Sequence, residues 1–145
     1  MRVVGVDLGA RRIGVAVSDA AGTLASPWCT IERSGDGDAD RRALAAVVGH
    51  VGAGRVVVGL PLSLDGRRGP AAREAEDEVR ALGEVLAPQG VEVEAFDERF
   101  TTVSAGRSLT EAGRRGRRRR RVIDQAAAAV LLQAWLDGRA AAGRG

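Results

Sequence analysis

Residues 2–19, RVVGVDLGARRIGVAVSD, contain two apolar runs separated by a short polar turn. The first run, RVVGVDL, is rich in β-branched residues and ends at Gly9, which predicts a strand. The second run, IGVAVSD, alternates apolar and small residues and predicts another strand. Because the connection is short, we expect the two strands to pair as an antiparallel hairpin. Asp7 interrupts the first apolar run near its carboxyl end.

The rest of the chain alternates predicted strands and helices. A third strand is predicted for residues 24–31, and the loop SGDGDAD that follows contains Asp residues suited to N-capping a helix. RVVVGLP, residues 55–61, is an almost continuous apolar run, typical of a strand buried on both faces of a parallel sheet. VEVEAF, residues 91–96, alternates as a fifth strand. Helices are predicted for residues 41–51, 71–87, 102–113 and 122–138.

This order of elements predicts an α/β fold. Three strands that can pair as an antiparallel meander come first, and the later strands arrive through helical crossovers. We therefore expect a mixed five-stranded sheet flanked by helices. The length of 145 residues suits a single domain spanning the chain. Residues 113–121 are expected to be a basic loop, and residues 139–145 a flexible tail.

Basic residues are concentrated in one segment. All 22 of them are arginine, and without the seven in this segment 15 basic residues would face 19 acidic ones. A local basic block is typical of proteins that bind polyanions, although charge runs also occur as solvated, disordered segments. The seven are Arg114, Arg115, Arg117, Arg118, Arg119, Arg120 and Arg121.

Other features place the chain in a broad class. No apolar run approaches the roughly 20 residues that span a bilayer, and the first residues lack the apolar stretch of a signal peptide. We therefore expect a cytoplasmic protein with no membrane partner.

Cys29 is the single cysteine; we expect a partly buried free thiol, with a disulfide between two chains as the alternative. His50, the only histidine, is expected to be surface structure.

Three carboxylates fall where one edge of the sheet could bring them together. Asp7 lies near the end of the first strand, Glu98 just after the last strand, and Asp124 in the first turn of the last predicted helix. Ligands collect at the carboxyl ends of parallel strands, and three oxygen ligands there would suit Mg²⁺ or Mn²⁺. Two such ions can activate a water and stabilise the leaving oxygen of a phosphodiester.

Each carboxylate also has a simpler explanation when taken alone. Asp7 could form an Asx-turn before Gly9. Glu98 could pair with Arg99 at the surface, and Asp124 could offset the helix dipole. Spacing and composition leave these alternatives open.

Four motifs support the shared site when they are taken together. VDLGARRIGVAVSD, VVVGLPLSLDG, FDERFTT and VIDQAAAAVLLQAWL occur in that order and cover nearly the whole chain, from about Arg2 to Asp137. The combination resembles the YqgF-type family, bacterial proteins described as Holliday junction resolvases and as nucleases that process the 5′ end of precursor 16S rRNA. The resemblance implies a ribonuclease H-like fold. It also implies that the family's acidic positions are Asp7, Glu98 and Asp124 here, with Asp97 as a substitute or second ligand beside Glu98.

Further motif positions are expected to support the site. Gly5, Gly9 and Gly14 would allow tight turns and close backbone approach, although a glycine in a strand can also simply mark a bulge. Residues 59–61 and 65–66 are expected at the rim of the site. Arg11 and Arg12 could contact phosphate or could simply be a solvated turn. Arg99 and Thr102 match family positions near the metal and could hold the scissile phosphate. In the family the loop before the last helix is commonly basic, with lysine among its residues, whereas this chain has only arginine there.

The resulting hypothesis is a nuclease that uses Mg²⁺ or Mn²⁺, with two ions expected, and acts on structured nucleic acid. Precursor rRNA is the first choice of substrate, because the resemblance points to it, and four-way DNA is the alternative. A homodimer would suit a junction resolvase, whereas a terminal RNA processor could be a monomer. A non-catalytic assembly factor is a further alternative. DLG followed by a hairpin is also similar to the phosphate-binding turn of actin-like ATPases and sugar kinases, but those need two domains and far more residues.

Overall fold

The computed structural model describes residues 1–61, 67, 69–100 and 116–144, without the side chains of residues 100, 116–121 and 144. Within these residues, five strands form one sheet and three helices pack on it. The strands are β1 (Arg2–Leu8), β2 (Arg12–Ser18), β3 (Ala25–Glu32), β4 (Ala53–Leu60) and β5 (Glu92–Asp97), and the helices are α1 (Gly37–Val51), α2 (Pro70–Leu86) and α3 (Gly116–Arg144). Short 3₁₀ turns follow α2 (Ala87–Gln89) and β5 (Glu98–Phe100).

The sheet has the predicted mixed topology, with strand order β3-β2-β1-β4-β5. The first three strands pair antiparallel as a meander, whereas β4 is parallel to β1 and β5 is parallel to β4. Pro27 is tolerated within β3 because β3 is an edge strand, where a missing N–H need not break a ladder. The predicted α/β sheet is therefore confirmed.

Alternating residues divide the strands between two apolar layers. Val4, Val6, Val56 and Val58 pack with residues of α1 and α2 in one cluster. The neighbouring positions, Val3 on β1, Ala16 on β2 and Val57 on β4, pack instead with residues of α3. β4 is buried on both faces, as its unbroken apolar sequence predicts.

Helix α1 begins earlier than residue 41, the predicted start. Asp36 caps it, because its side chain accepts hydrogen bonds from the backbone N–H groups of Asp38 and Ala39. The capping role predicted for the Asp-rich loop is thus confirmed. The remaining predicted strands and helices before residue 98 agree with the structure to within two residues at each end.

Helix α3 corrects three predictions. The basic loop predicted to end at residue 121 is wrong for residues 116–121, which form the start of the helix. Asp124 therefore lies more than two turns inside α3 instead of in its first turn. The flexible tail predicted from residue 139 is also wrong, since the helix continues to Arg144. Arginine is a good helix former, so a run of arginines can extend a helix whose apolar face already packs on the sheet.

The predicted helix over residues 102–113 lies outside the described residues. The part of the chain that the structure describes contains no helix long and apolar enough to cross a membrane. Cys29 is a free thiol of intermediate burial, as predicted, and burial raises the pKa of that thiol.

Candidate active site

Asp7 lies on the face of β1 that α3 covers. It is only 1% exposed, and it is paired in register with Gly14 of β2. Two residues earlier on the same face, a Cβ at Gly5 would lie 2.7 Å from Cβ of Leu132 in α3. A carboxylate so deeply buried is costly unless other groups compensate its charge. Asp7 is therefore a candidate for function and not an ordinary strand residue.

Asp124 is held beside the same point by the close approach of α3 to β2. A Cβ on Gly14 would lie 2.1 Å from the backbone oxygen of Asp124 and 3.2 Å from its Cβ. Only glycine permits this approach. Since Gly14 is the cross-strand partner of Asp7, the tertiary packing places Asp124 next to the position opposite Asp7.

Arg12 forms an ion pair with Asp124. Its Nε donates to Oδ2 of Asp124 at 2.9 Å, and the two side chains are 17% and 14% exposed. Arg12 is the first residue of β2, and the N–H of Gly9 donates to its carbonyl oxygen at 2.9 Å across the turn. The hairpin turn therefore fixes the position from which Arg12 reaches the helix.

Glu98 reaches the same face of the sheet from the end of β5. A Cβ on Gly59 of β4 would lie 2.6 Å from Oε1 of Glu98 and 3.1 Å from Cδ2 of Leu131 in α3. Glu98 is 7% exposed. Burial, with a smaller contribution from the neighbouring charge of Asp97, raises the pKa of the Glu98 carboxyl. The predicted rim position Gly59 is thus the place where Glu98 packs.

Asp97 and Arg99 are engaged with each other. Nε of Arg99 donates to both carboxylate oxygens of Asp97, at 3.1 and 2.9 Å, and Nη2 donates to Oδ2 at 2.6 Å. These hydrogen bonds hold the pKa of the Asp97 carboxyl below its usual value. Strand alternation places Asp97 on the opposite face from Phe96, whose side chain packs with α3 residues. Asp97, paired with Arg99, therefore lies on the far side of β5 from the helix that carries Asp124.

The chemistry of the three carboxylates suits a hard divalent cation. Asp7, Glu98 and Asp124 offer oxygen donors on one face of three adjacent strands, which is the donor type that Mg²⁺ and Mn²⁺ prefer. Among the described residues, however, no three acidic, His or Cys side chains lie close enough to form a metal-binding group as placed. Shared coordination would require the carboxylates to draw together, and Asp124 has Arg12 as its partner. The metal role of these residues stays a prediction.

Several predicted site residues fall away from the carboxylates or outside the described structure. Arg11 is exposed in the turn between β1 and β2. Residues 117–121 belong to the first turns of α3, and positions 120 and 121 therefore lie one helical turn before Asp124. His50 is in the last turn of α1, and its ring lies 6.3 Å from that of Trp28. The predicted positions outside the described residues are Thr102, Arg114, Arg115, Asp65 and Gly66.

Sequence reasoning missed the two contacts that organise the site. Arg12 and Asp124 are 112 positions apart, and nothing local indicates their pairing. The contact of Glu98 with Gly59 is also remote in sequence. Glycines within apolar strands were the sequence feature that indicated these contacts. They predicted a close packing contact at Gly5 and Gly14 but did not show that helix α3 makes it.

Comparison with known families identifies the chain. A family model described as "RuvX: Holliday junction resolvase" matches residues 1–138. The chain belongs to the RuvX family. This confirms the resemblance from which the acidic positions were predicted, because the matched span contains all four motifs.

Curated relatives of this RuvX chain are similar over nearly its full length. A protein of Mycobacterium sp. (strain KMS), named "Putative pre-16S rRNA nuclease", is 50% identical over 141 residues, which are 97% of this chain and 82% of that protein. Proteins with the same name from Mycobacteroides abscessus and Mycobacterium tuberculosis are each 48% identical, covering 95% and 97% of this chain and 82% and 81% of theirs.

Solved structures confirm the ribonuclease H-like fold of this RuvX chain. T. thermophilus RuvC in complex with a Holliday junction substrate has a TM-score of 0.57 at 15% identity, with 96% of each chain covered. A second Thermus thermophilus RuvC structure has a TM-score of 0.55 at 16% identity, with 97% of each chain covered. At this identity the likeness concerns the fold alone.

Proposed function

We propose that this RuvX chain is a metal-dependent nuclease that processes the 5′ end of precursor 16S rRNA in the cytoplasm. The observation that supports the proposal is that Asp7 lies on the face of the sheet on which Asp124 packs against Gly14 and Glu98 packs against Gly59. The names of relatives at 48–50% identity support the substrate. Largely buried carboxylates in one region are costly for stability, which favours a function over a purely structural role.

The three carboxylates would hold Mg²⁺ or Mn²⁺, with two ions expected. Bound there, the ions would supply an activated water and charge stabilisation for the leaving oxygen of a phosphodiester. Asp7 is fixed within a strand and buried, so it provides a rigid ligand. Asp124 is carried by a helix, and Glu98 by the 3₁₀ turn after β5, so the other two ligands would come from separate elements that pack on the same face of the sheet.

The arginine segment would bind the phosphates of the nucleic-acid backbone. Residues 117–121 begin the helix that carries Asp124, so the basic positions precede the candidate site by one to two turns. Phosphate contacts of this kind position a substrate without reading its sequence. Aromatic residues make up only 3% of the chain, which favours recognition of backbone shape over base stacking. The further proposed contacts are Arg11, Arg12, Arg99, Thr102, Arg114 and Arg115.

A second candidate function is cleavage of four-way DNA junctions. The description of the matching family model favours it, and the fold is shared with RuvC. A junction resolvase would need two sites related by symmetry, so this activity would require a homodimer. An assembly factor that binds nucleic acid without cutting is disfavoured by the presence of all three carboxylates.

Cleavage assays with one conservative variant test the proposal. Purified protein is incubated with Mg²⁺ or Mn²⁺ and either precursor 16S rRNA or a four-way DNA junction, alongside Asp7→Asn. We expect cleavage of the precursor rRNA, a drop of about 10³-fold or more in the variant because a ligand of the catalytic ions is removed, and unchanged substrate binding. Addition of a chelator should abolish cleavage as well.

Asp38→Asn is the matched control, because Asp38 is an 80%-exposed carboxylate at the start of α1. It should cut like the wild type. If neither substrate is cut with either metal, the catalytic proposal fails. Cleavage of the junction alone, by a dimer, would establish the second candidate instead.

A further inference from the structure

Arg12 is a predicted phosphate contact, but its guanidinium binds a candidate metal ligand. The Nε to Oδ2 distance of 2.9 Å is that of a charge-assisted hydrogen bond. Both side chains are less than a fifth exposed, so solvent screens the pair less than it would a surface pair. Both residues of the pair are held in place by backbone contacts. The turn at Gly9 positions Arg12, and the close packing of α3 on Gly14 positions Asp124.

A guanidinium and a divalent ion at one carboxylate oppose each other electrostatically. Arginine stays protonated at any ordinary pH, so its charge cannot be relieved by proton loss. An ion coordinated at about 2.1 Å from a carboxylate oxygen would lie within a few ångströms of the guanidinium. At the effective dielectric of a partly buried site, that repulsion is large enough to weaken ion binding by about tenfold or more.

The placement of the three carboxylates agrees with such a competition. The described side chains do not form a group of three ligands as placed, and Asp124 is held by the cationic Arg12. An ion that recruited Asp124 to Asp7 would have to share this carboxylate with Arg12 or displace Arg12 from it.

We propose that Arg12 competes with divalent metal ions for Asp124 and so weakens metal binding while stabilising the protein when no ion is bound. The proposal rests on the proposed metal site and adds a determinant of its affinity. Arg12 acts through Asp124 and is therefore a positioning residue. In this role Arg12 raises the stability of the metal-free protein and lowers its metal affinity. A purely structural residue would raise both stability and metal affinity.

Mn²⁺ binding to Arg12→Gln and Arg12→Lys tests this competition. Binding is followed by electron paramagnetic resonance of free Mn²⁺ and by calorimetry, without nucleic acid. We expect Arg12→Gln to bind Mn²⁺ about tenfold more tightly than the wild type and to melt about 3 °C lower without metal. Saturating Mn²⁺ should raise its melting temperature more than that of the wild type. Arg12→Lys keeps the charge and should bind Mn²⁺ nearly as the wild type does.

Two further variants complete the design. Arg42→Gln removes an exposed arginine of α1 on the other side of the sheet and controls for net charge; its Mn²⁺ affinity should stay within about twofold of wild type. Asp7→Asn should lose Mn²⁺ binding. If the wild type binds Mn²⁺ and Asp7→Asn does not, but Arg12→Gln binds equally or more weakly, the competition is refuted and the metal site stands. If the wild type binds no Mn²⁺, both proposals fall.

Discussion

Single side chains fix the turns that shape the amino-terminal hairpins. Asp19, directly after β2, closes the connection to β3 by accepting hydrogen bonds from the N–H of Thr23 at 2.7 Å, from Oγ1 of Thr23 at 2.6 Å and from the N–H of Leu24 at 3.2 Å. The Thr23 hydroxyl bond, followed by the two backbone bonds, lowers the pKa of Asp19 to about 2. An exposed carboxylate can thus stabilise the fold through local hydrogen bonds alone.

The stabilisation from Asp19 should depend on pH. Because the folded pKa of about 2 lies below the ordinary 3.8, the contribution is complete above pH 3.8 and is lost as the pH falls through 2. Asp19→Asn should therefore lower the free energy of unfolding at pH 7, and the difference from wild type should shrink between about pH 4 and pH 2. Urea titrations across this range measure it. A difference that stays constant down to the lowest pH would contradict the hydrogen-bonding role.

Among the elements, the packing of α3 on the sheet determines where Asp124 lies relative to the other two carboxylates. The strand residues beneath the helix include Gly5 on β1, Gly14 on β2 and Gly59 on β4, and a Cβ at each would come within 3 Å of another group. Gly14 receives the helix backbone itself, which cannot move aside as a flexible side chain could. The register of α3 on β2 is therefore coupled to the position of Asp124.

Gly14→Ala should push α3 away from β2 and disturb the candidate site. We expect a decrease of about 1–3 kcal/mol in unfolding free energy from overpacking, together with weaker Mn²⁺ binding because Asp124 moves with the helix. Gly83→Ala is the matched control: Gly83 lies in α2 with no atom within 4 Å of an added Cβ. That change should be neutral or stabilising. Urea titrations measure the unfolding free energy of both variants. An equal decrease in the two would show that α3 does not pack closely on Gly14.

Across the whole molecule, positive charge is distributed unevenly. The net charge of +3 depends on the segment that ends at Arg121, and the structure places its residues 116–121 on the same helix as Asp124. A helix orders these positions relative to the carboxylates, which a flexible loop would not do. The substrate backbone would then be bound at a defined distance from the site of cleavage.

Replacing Arg117–Arg121 with glutamine should weaken nucleic-acid binding for every sequence. The log–log dependence of affinity on salt should flatten by about 0.7–0.9 for each phosphate that the variant no longer neutralises. A variant with Arg42 and Arg73 replaced, two exposed arginines of α1 and α2, tests whether location matters; its salt dependence should be unchanged. Binding titrations at several salt concentrations measure both. Equal weakening per arginine replaced in the two variants would mean that net charge, and not this segment, drives binding.

Among the described residues, the strands and helices and their order could be predicted from the amino-acid sequence. A β-branched apolar run identified β1, alternation of apolar and small residues identified β2, and an unbroken apolar run identified β4, because these patterns depend only on which faces are buried. Family motifs then singled out Asp7, Glu98 and Asp124. The loop predicted for residues 116–121 was wrong, since a charge run carries no periodic signal and its helical state depends on the packed remainder of α3.

The contacts of the side chains at the candidate site could not be predicted without the tertiary structure. Arg12 lies in the first hairpin and Asp124 in the last helix, and their pairing follows from the seating of α3 on Gly14, which no local pattern encodes. Likewise, Asp97 and Glu98 are adjacent in sequence, but one pairs with Arg99 and the other packs on Gly59. The physical reason is that secondary structure depends on near neighbours, whereas the partners of a buried charge depend on how distant elements pack.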